Sequence, residues 1–428
     1  MNPAYNAAIA CYRGAARMAA LGSKKVRHML LGQRETFDRL ANFRSKMAPD
    51  GFDVWFHAAS LGEFEQARPL IEALLEHRPG TKILLSFFSP SGYEVRCNYD
   101  PRVAVVYMPF DRPALVRRFL DLAAPRMAIF VKYEFWGNYL TELHSRRIPT
   151  YIISAIFRPG QRFFKPWGCM FRQMLNAFTR LYVQDEGSLS LLESIGVTSV
   201  TVAGDTRFDR VTTIRLKGRD IPEIECFKSA APARATIVFG SSWEDDEKRY
   251  IPWLAAHKDV RAVIAPHEFD KDRLAAMRRN LGSDCTMLLS DFRRIYEKSP
   301  QGAAKVAAHL RFIIVDCFGL LSSLYRYADF AYIGGGFGKS IHNINEAAVY
   351  GIPVVFGPTH GKFKEAADLI ACGGGFSVDS AEAIARIFDR LTDRSEARDE
   401  AGQAADRYIS SQVGASAIIM KDIFNINI

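Results

Sequence analysis

The chain is 428 residues long, which at about 150 residues per domain is two or three domains. Hydrophobic residues make up 48% and charged residues 24%, which excludes disordered, collagenous and small disulfide-stapled chains; no run of roughly 18 apolar residues marks a regular transmembrane helix. The net charge of +9 points to acidic partners.

Residues 1–50 form a basic segment, with nine Lys/Arg against Glu35, Asp38 and Asp50. Within it Asn2–Leu21 is Ala-rich, with Tyr5, Ile9, Tyr12 and Met18 near helical spacing and Arg13 and Arg17 between them. It lacks the apolar region and cleavage site of a signal peptide. Such a helix either lies on an anionic membrane surface or docks on its own domain.

From residue 51 the pattern becomes strand, turn, helix. Apolar runs at Val54–Ala58, Lys82–Phe87, Val103–Met108, Met127–Val131, Thr150–Ser154 and Arg180–Val183 alternate with helical-period stretches such as Phe64–His77, Ala114–Leu122 and Leu189–Ile195. Residues 51–214 therefore read as one α/β domain with a parallel sheet covered on both faces. Residues 215–233 are charged, contain Pro and lack a period, the marks of a linker. A second domain spans 234–410, with strands predicted at Thr236–Phe239, Ala262–Ala265, Phe312–Val315, Phe330–Ile333 and Pro353–Phe356. A last helix within 411–428 is expected to cross back onto the first domain. The fold expected is α/β, two doubly wound Rossmann-like domains facing a cleft, with ligands at the carboxyl ends of the strands.

The seven cysteines are scattered and never form a CxxC, so free or buried thiols are expected instead of a disulfide framework or zinc site. HExxH is absent, and the DxD of Asp270-Lys271-Asp272 sits where a polar helix start is expected. Between Phe157 and Arg180 lie five cations and no acid, interleaved with Phe163, Phe164, Trp167, Phe171 and Phe178. That mixture suits single-stranded nucleic acid, lipid headgroups, or an amphipathic core helix with a basic outer face.

Two places carry chemistry. In Val54-Trp-Phe-His-Ala-Ala-Ser-Leu-Gly-Glu63 a strand runs through a Ser/Gly turn into a helix, which puts Glu63 at a strand's carboxyl end. A carboxylate there either accepts a hydroxyl proton or serves as the acid that a first helical turn favours. The second is Ile333-Gly-Gly-Gly-Phe-Gly-Lys-Ser-Ile-His342-Asn343-Ile344-Asn345-Glu346. It fails the phosphate-loop pattern at Ile333 and the dinucleotide pattern at Lys339. A glycine turn remains, suited to bringing backbone N–H groups close to an anion. Asn343 and Glu346 read as a capping box, and Glu346 equally as an acceptor for ribose hydroxyls. The loops Gly240-Ser-Ser-Trp-Glu244, Pro266-His267-Glu268, Asp316-Cys-Phe-Gly319 and Gly357-Pro-Thr-His360 follow strands and together describe a binding rim.

His57-Ala-Ala-Ser-Leu-Gly-Glu63, Ser89-Pro-Ser-Gly92, Tyr107-Met-Pro-Phe-Asp111, Glu134-Phe-Trp136, Ala203-Gly-Asp-Thr-Arg207-Phe-Asp209, His342-Asn-Ile-Asn-Glu346 and Gly357-Pro358 occur in an ordered set. In order and spacing that set resembles the 3-deoxy-D-manno-octulosonic acid (Kdo) transferases of lipopolysaccharide assembly, over roughly residues 50–410. The resemblance implies a GT-B, inverting glycosyltransferase that uses no metal or other cofactor. It implies CMP-Kdo as donor and the tetraacyl, bisphosphorylated lipid A precursor (lipid IVA) as acceptor, at the cytoplasmic face of the bacterial inner membrane. It assigns Glu63 as general base and Arg207 as the cation that stabilises departing CMP. Pro266 and His267, then Phe318, Gly319 and Leu320, then Asn343, Ile344, Asn345 and Glu346, match the family's nucleotide contacts. No nucleic-acid partner is implied, and membrane attachment is expected to be peripheral or N-terminal.

The sequence departs from the family in places. Lys132 stands where the first of two acids is usual, which reassigns that position to binding the Kdo carboxylate or an acceptor phosphate. Gly137 replaces a proline, and an arginine usual beside Pro266-His267 is absent. Other readings are a GT-B transferase with another nucleotide-sugar donor, a P-loop-like NTPase suggested by Gly338-Lys339-Ser340, and a basic nucleic-acid-binding module.

Overall fold

The structure is a computed structural model describing residues 3–428. It divides into two compact units, one running to Arg210 and resuming over Val413–Ile428, the other Val211–Gln412.

In the first unit β1 (Val54–Ala58), β2 (Ile83–Phe87), β3 (Val103–Tyr107), β4 (Ala128–Val131), β5 (Thr150–Ala155), β6 (Arg180–Val183) and β7 (Val200–Val202) form one sheet. Their order is β3-β2-β1-β4-β5-β6-β7, and every pairing is parallel. Helices cover both faces of such a sheet, which is why β1 to β4 are buried along their whole length and read as unbroken apolar runs. The order reverses between β1 and β4, the place where sheets of this kind bind ligands beyond the carboxyl ends of their strands. Register sets His57 of β1 opposite Ser86 of β2 and Phe130 of β4.

The second unit repeats the architecture with β8 (Ala235–Ser242), β9 (Val260–Pro266), β10 (Thr286–Leu288), β11 (Phe312–Ile314), β12 (Phe330–Ile333), β13 (Val354–Phe356) and β14 (Gly375–Ser377). The order is β10-β11-β9-β8-β12-β13-β14, again all parallel, with its reversal between β8 and β12. The α/β, doubly wound fold class expected of each domain is what the chain adopts.

Three strands escape the sequence pattern: β7, β10 and β14. Each has three residues and lies at a sheet edge, too short to show a period and exposed enough to lose the apolar run. The stretch 215–233, expected to be a linker, instead holds the end of helix Thr206–Leu216 and all of helix Pro222–Ser229. Ile224 and Phe227 of that second helix are buried, two apolar positions three apart being too few to reveal a helix beforehand.

The basic N-terminal segment is two helices, Pro3–Gly22 and Lys24–Met47. The second is built into the first unit: Met29, Phe37 and Leu40 are buried, and Thr36 Oγ1 donates to the carbonyl of Tyr107 at 2.9 Å. The last helix, Ala415–Phe424, sets Ile419, Met420 and Phe424 in the same core, and Arg78 donates to the Phe424 carbonyl at 2.6 Å. No helix among the described residues is long and apolar enough to cross a membrane.

Candidate active site

Glu63 sits in the first turn of helix Leu61–His77, directly after β1, at the point where strand order reverses. Its Oε2 accepts the Ser60 N–H at 3.1 Å. Burial and then the negative charge of Glu134 push its carboxyl up to about 7, against the Ala59 and Ser60 N–H groups and the ammonium of Lys132. The structure therefore brings Glu63 and Lys132 together, and Glu134 with them. Lys132 follows β4 with φ +61, a left-handed conformation, and its ammonium lies 5.4 Å from the Tyr133 ring centroid.

Glu134 is buried, and its Oε2 accepts from His57 Nε2 at 3.0 Å and from Trp136 Nε1 at 2.5 Å. Behind it, His57 Nδ1 lies 2.9 Å from Ser86 Oγ, which in turn accepts from Trp55 Nε1 at 2.8 Å. One assignment of donors satisfies all four bonds: Trp55 donates to Ser86, Ser86 to His57, and both His57 and Trp136 to Glu134. Sequence reasoning gave His57, Ser86 and Trp136 no role. His57 and Trp136 lay inside quoted motifs, and only strand register revealed Ser86 as their partner.

Arg207 lies near the start of helix Thr206–Leu216 and donates from Nε to Asp205 Oδ2 at 2.9 Å. Burial alone would raise the Asp205 carboxyl, but the Arg207 guanidinium outweighs it and holds the group below the usual range. Gln66, one turn along from Glu63, donates to Asp205 Oδ1 at 2.9 Å, and Thr206 Oγ1 donates to the Gln66 carbonyl at 2.6 Å. Arg207 is thereby tied to the helix that carries Glu63.

In the second unit Pro266 ends β9, and His267 follows. The His267 ring is stacked on Trp243 at 4.4 Å and on His342 at 4.5 Å, while Trp243 Nε1 donates to His342 Nε2 at 3.2 Å. Burial, then the charge of protonated His267, lowers His342 to about 4, so its ring is neutral and its Nε2 an acceptor. Phe318 is 85% exposed against Phe269, Gly319 has φ +83, and Leu320 is buried.

The glycine turn corrects an expectation. A Cβ on Gly334 would fall 2.3 Å from the Ser241 carbonyl oxygen, and one on Gly336 2.6 Å from Gly357 backbone. Gly334 N–H donates to the Gly240 carbonyl at 2.9 Å, and Gly335 N–H to Asp246 Oδ2 at 2.8 Å. These glycines allow backbone to pack on backbone, and the two N–H groups are spent inside the protein. The capping box also differs: helix Asn345–Ala348 starts later, with Ile344 as N-cap, and the Asn343 amide donates to Glu346 Oε1 at 3.0 Å. Asn345 is fully buried with neither amide atom bonded to protein. Asp270 is the N-cap of helix Lys271–Leu281, its Oδ1 accepting the Arg273 N–H at 2.9 Å, as a polar helix start requires. In the basic-aromatic stretch Phe157, Phe163 and Phe178 are buried around Phe135, and Arg172 donates to the Phe163 and Lys165 carbonyls, leaving Trp167 exposed.

Residues 24–210 match the family model for 3-deoxy-D-manno-octulosonic-acid transferase (kdotransferase). A 3-deoxy-D-manno-octulosonic acid transferase of Bordetella pertussis is 27% identical over 86% of this chain and 86% of its own length. The protein of that name from Haemophilus influenzae is 24% identical over 88% of both chains. In these comparisons the chain is similar to the Kdo transferases.

Among solved structures, UDP-GlcNAc 2-epimerase from Neisseria meningitidis bound to UDP-GlcNAc aligns with TM-score 0.59, 16% identity and coverage of 87% of this chain and 100% of that one. The S. aureus MnaA–UDP co-structure aligns with TM-score 0.57, 13% identity and coverage of 88% and 98%. At these identities the likeness is one of fold, the two-domain α/β architecture of GT-B type. The carboxylate cluster lies wholly within the matched stretch 24–210.

Proposed function

We propose that the protein transfers Kdo from CMP-Kdo to the lipid A precursor lipid IVA with inversion at the sugar centre, at the cytoplasmic face of the inner membrane. The observation that carries this is the Glu63 carboxyl, at the strand-order reversal with its pKa pushed up to about 7. A base titrating near neutrality is ionised often enough to accept a proton and basic enough to hold it. Glu63 takes the proton of the attacking hydroxyl as the acceptor oxygen bonds to the anomeric carbon and the bond from that carbon to CMP breaks. CMP leaves with the bonding pair, and Arg207 stabilises its negative charge.

Pro266, His267, Phe318, Gly319, Leu320, Asn343, Ile344, Asn345 and Glu346 are the residues proposed to hold CMP. Lys132, where the family usually has an acid, pairs with the Kdo carboxylate or an acceptor phosphate. Glu134 raises the basicity of Glu63 and is itself held by His57 and Trp136. No metal or other cofactor is assigned a step.

The test is a transfer assay with CMP-Kdo and lipid IVA in detergent containing EDTA. A lipid product heavier by one or more Kdo units is expected. CMP release without a lipid product would retain the donor and overturn the acceptor; no turnover by folded protein would overturn both.

A further inference from the structure

A second feature of the first unit lies apart from the carboxylate cluster. Between helices Pro3–Gly22 and Lys24–Met47 and the loop after β3 is a pocket of about 110 Å³. Its polar lining is Arg13, Arg17, Arg34 and Gln33; its apolar wall includes Phe37, Phe110 and Leu115. Among the described residues no carboxylate forms an ion pair with any of the three arginines or with nearby Arg112. Arg13 is held below the usual guanidinium range by burial and then by the positive charges of Arg17, Arg112 and Arg34.

Like charges gathered beside an apolar wall repel one another, and an arrangement of this kind is relieved by an anion. Gln33 strengthens the case. It is 7% exposed, it lines the pocket, and its Nε2 has no acceptor in the protein. A buried amide donor without a partner is destabilising, and an oxygen-rich ligand relieves that cost. Guanidinium groups match phosphate geometry through paired N–H donors. The apolar wall, with Met18 and Leu21 exposed on the first helix, suits a phosphate attached to hydrocarbon.

The pocket also communicates with the carboxylate site. Phe110 packs against Phe88 at 5.6 Å, Phe88 against Trp136 at 4.8 Å, and Trp136 donates to Glu134. Tyr5 of the first helix donates to Asp111 at 2.5 Å and accepts the Gly137 N–H at 3.0 Å, locking that helix to the loop that carries Trp136.

We infer that this pocket binds the phosphate of an anionic lipid. The shared chemistry admits two sources: a phosphate on the acceptor, an assignment that rests on the transferase reading, or a membrane phospholipid, which does not.

The experiment titrates the full chain with dihexanoyl phosphatidic acid below its micellar concentration and with uncharged dihexanoylglycerol. Wild-type protein is expected to bind the phosphatidic acid more tightly. The double variant Arg13→Gln/Arg34→Gln should weaken that binding about tenfold or more, and Gln33→Leu several-fold, with unchanged thermal midpoints. Arg39→Gln, which removes a charge paired with Glu35 on the second helix, should bind within about twofold of wild type. Equal affinity for the charged and uncharged lipids, or an equal loss in Arg39→Gln, overturns the proposal. The source follows from the transfer assay. A raised KM for lipid IVA in the double variant, with competition by phosphatidic acid, supports the acceptor phosphate. An unchanged KM beside weakened phosphatidic acid binding supports a membrane phospholipid. Absence of transfer in wild type would defeat the transferase reading alone and leave the titration able to decide the pocket.

Discussion

His57 Nε2 stands 3.0 Å from Glu134 Oε2, joining the strand before the candidate base to the loop after the neighbouring strand. Through Ser86 the imidazole is also bonded to Trp55, so a buried polar chain ends on the carboxylate that raises Glu63. Replacing His57 by Leu leaves Glu134 and Ser86 each short of a partner. We expect His57→Leu to lose about 2–4 kcal/mol in urea denaturation and His57→Gln to lose less.

Transfer should follow the ionised fraction of Glu63. kcat/KM is expected to be low below pH 6 and to rise tenfold per unit until it levels above about 7, to which burial and Glu134 push the Glu63 carboxyl. Glu63→Gln should abolish turnover while leaving CMP affinity within a few-fold. A flat profile across this range would remove Glu63 as base.

The same group makes a stability prediction of opposite sense. Its folded pKa exceeds the unfolded one near 4.5, so the folded state binds the proton more tightly, and stability falls as pH rises from about 4.5 to 7. Glu63→Gln should therefore be more stable than wild type at pH 8, by about 1–2 kcal/mol after allowance for solvent screening, and equal to it near pH 4. Chemical denaturation at the two pH values reads the difference.

His342 should stay neutral down to about pH 4, because burial and then its neighbour His267 disfavour its cation. Unfolded histidine titrates near 6.5, so the unfolded chain takes up the proton first and stability is lost as pH falls from 6.5 toward 4. NMR titration of the His342 ring should show Nε2 unprotonated at pH 6. A normal titration near 6.5 would contradict the stacked arrangement.

Gly336→Ala tests the reading of the glycine turn as a packing device. The new methyl would fall 2.6 Å from Gly357, backbone that has nowhere to retreat. A loss of about 3 kcal/mol or more is expected in the unfolding of this variant. Gly338→Ala, where the nearest atom is 3.5 Å away, should lose under about 1 kcal/mol.

Much of this protein is legible from its residues alone. Parallel strands buried on both faces are largely apolar, so every run predicted as a strand overlaps a strand of one of the two sheets, from Val54–Ala58 to Pro353–Phe356. The position of Glu63 follows as directly, since a strand, a Ser/Gly turn and a helix leave one place for it. What the tertiary structure alone decided is how residues far apart in the chain are paired. Ser86 meets His57 because β2 lies beside β1 in one register, and Glu134 meets it because β4 lies on the other side. The glycines of 334–336 suggested an anion cradle, yet the N–H groups of Gly334 and Gly335 bond to Gly240 and Asp246, and the missing Cβ atoms of Gly334 and Gly336 make room for Ser241 and Gly357, which no local pattern encodes. The cluster of Arg13, Arg17 and Arg34 was visible only as charge spread over two helices. Folding those helices together on Phe110 turned it into a pocket, because helical periodicity states which residues share a face and says nothing of what that face meets.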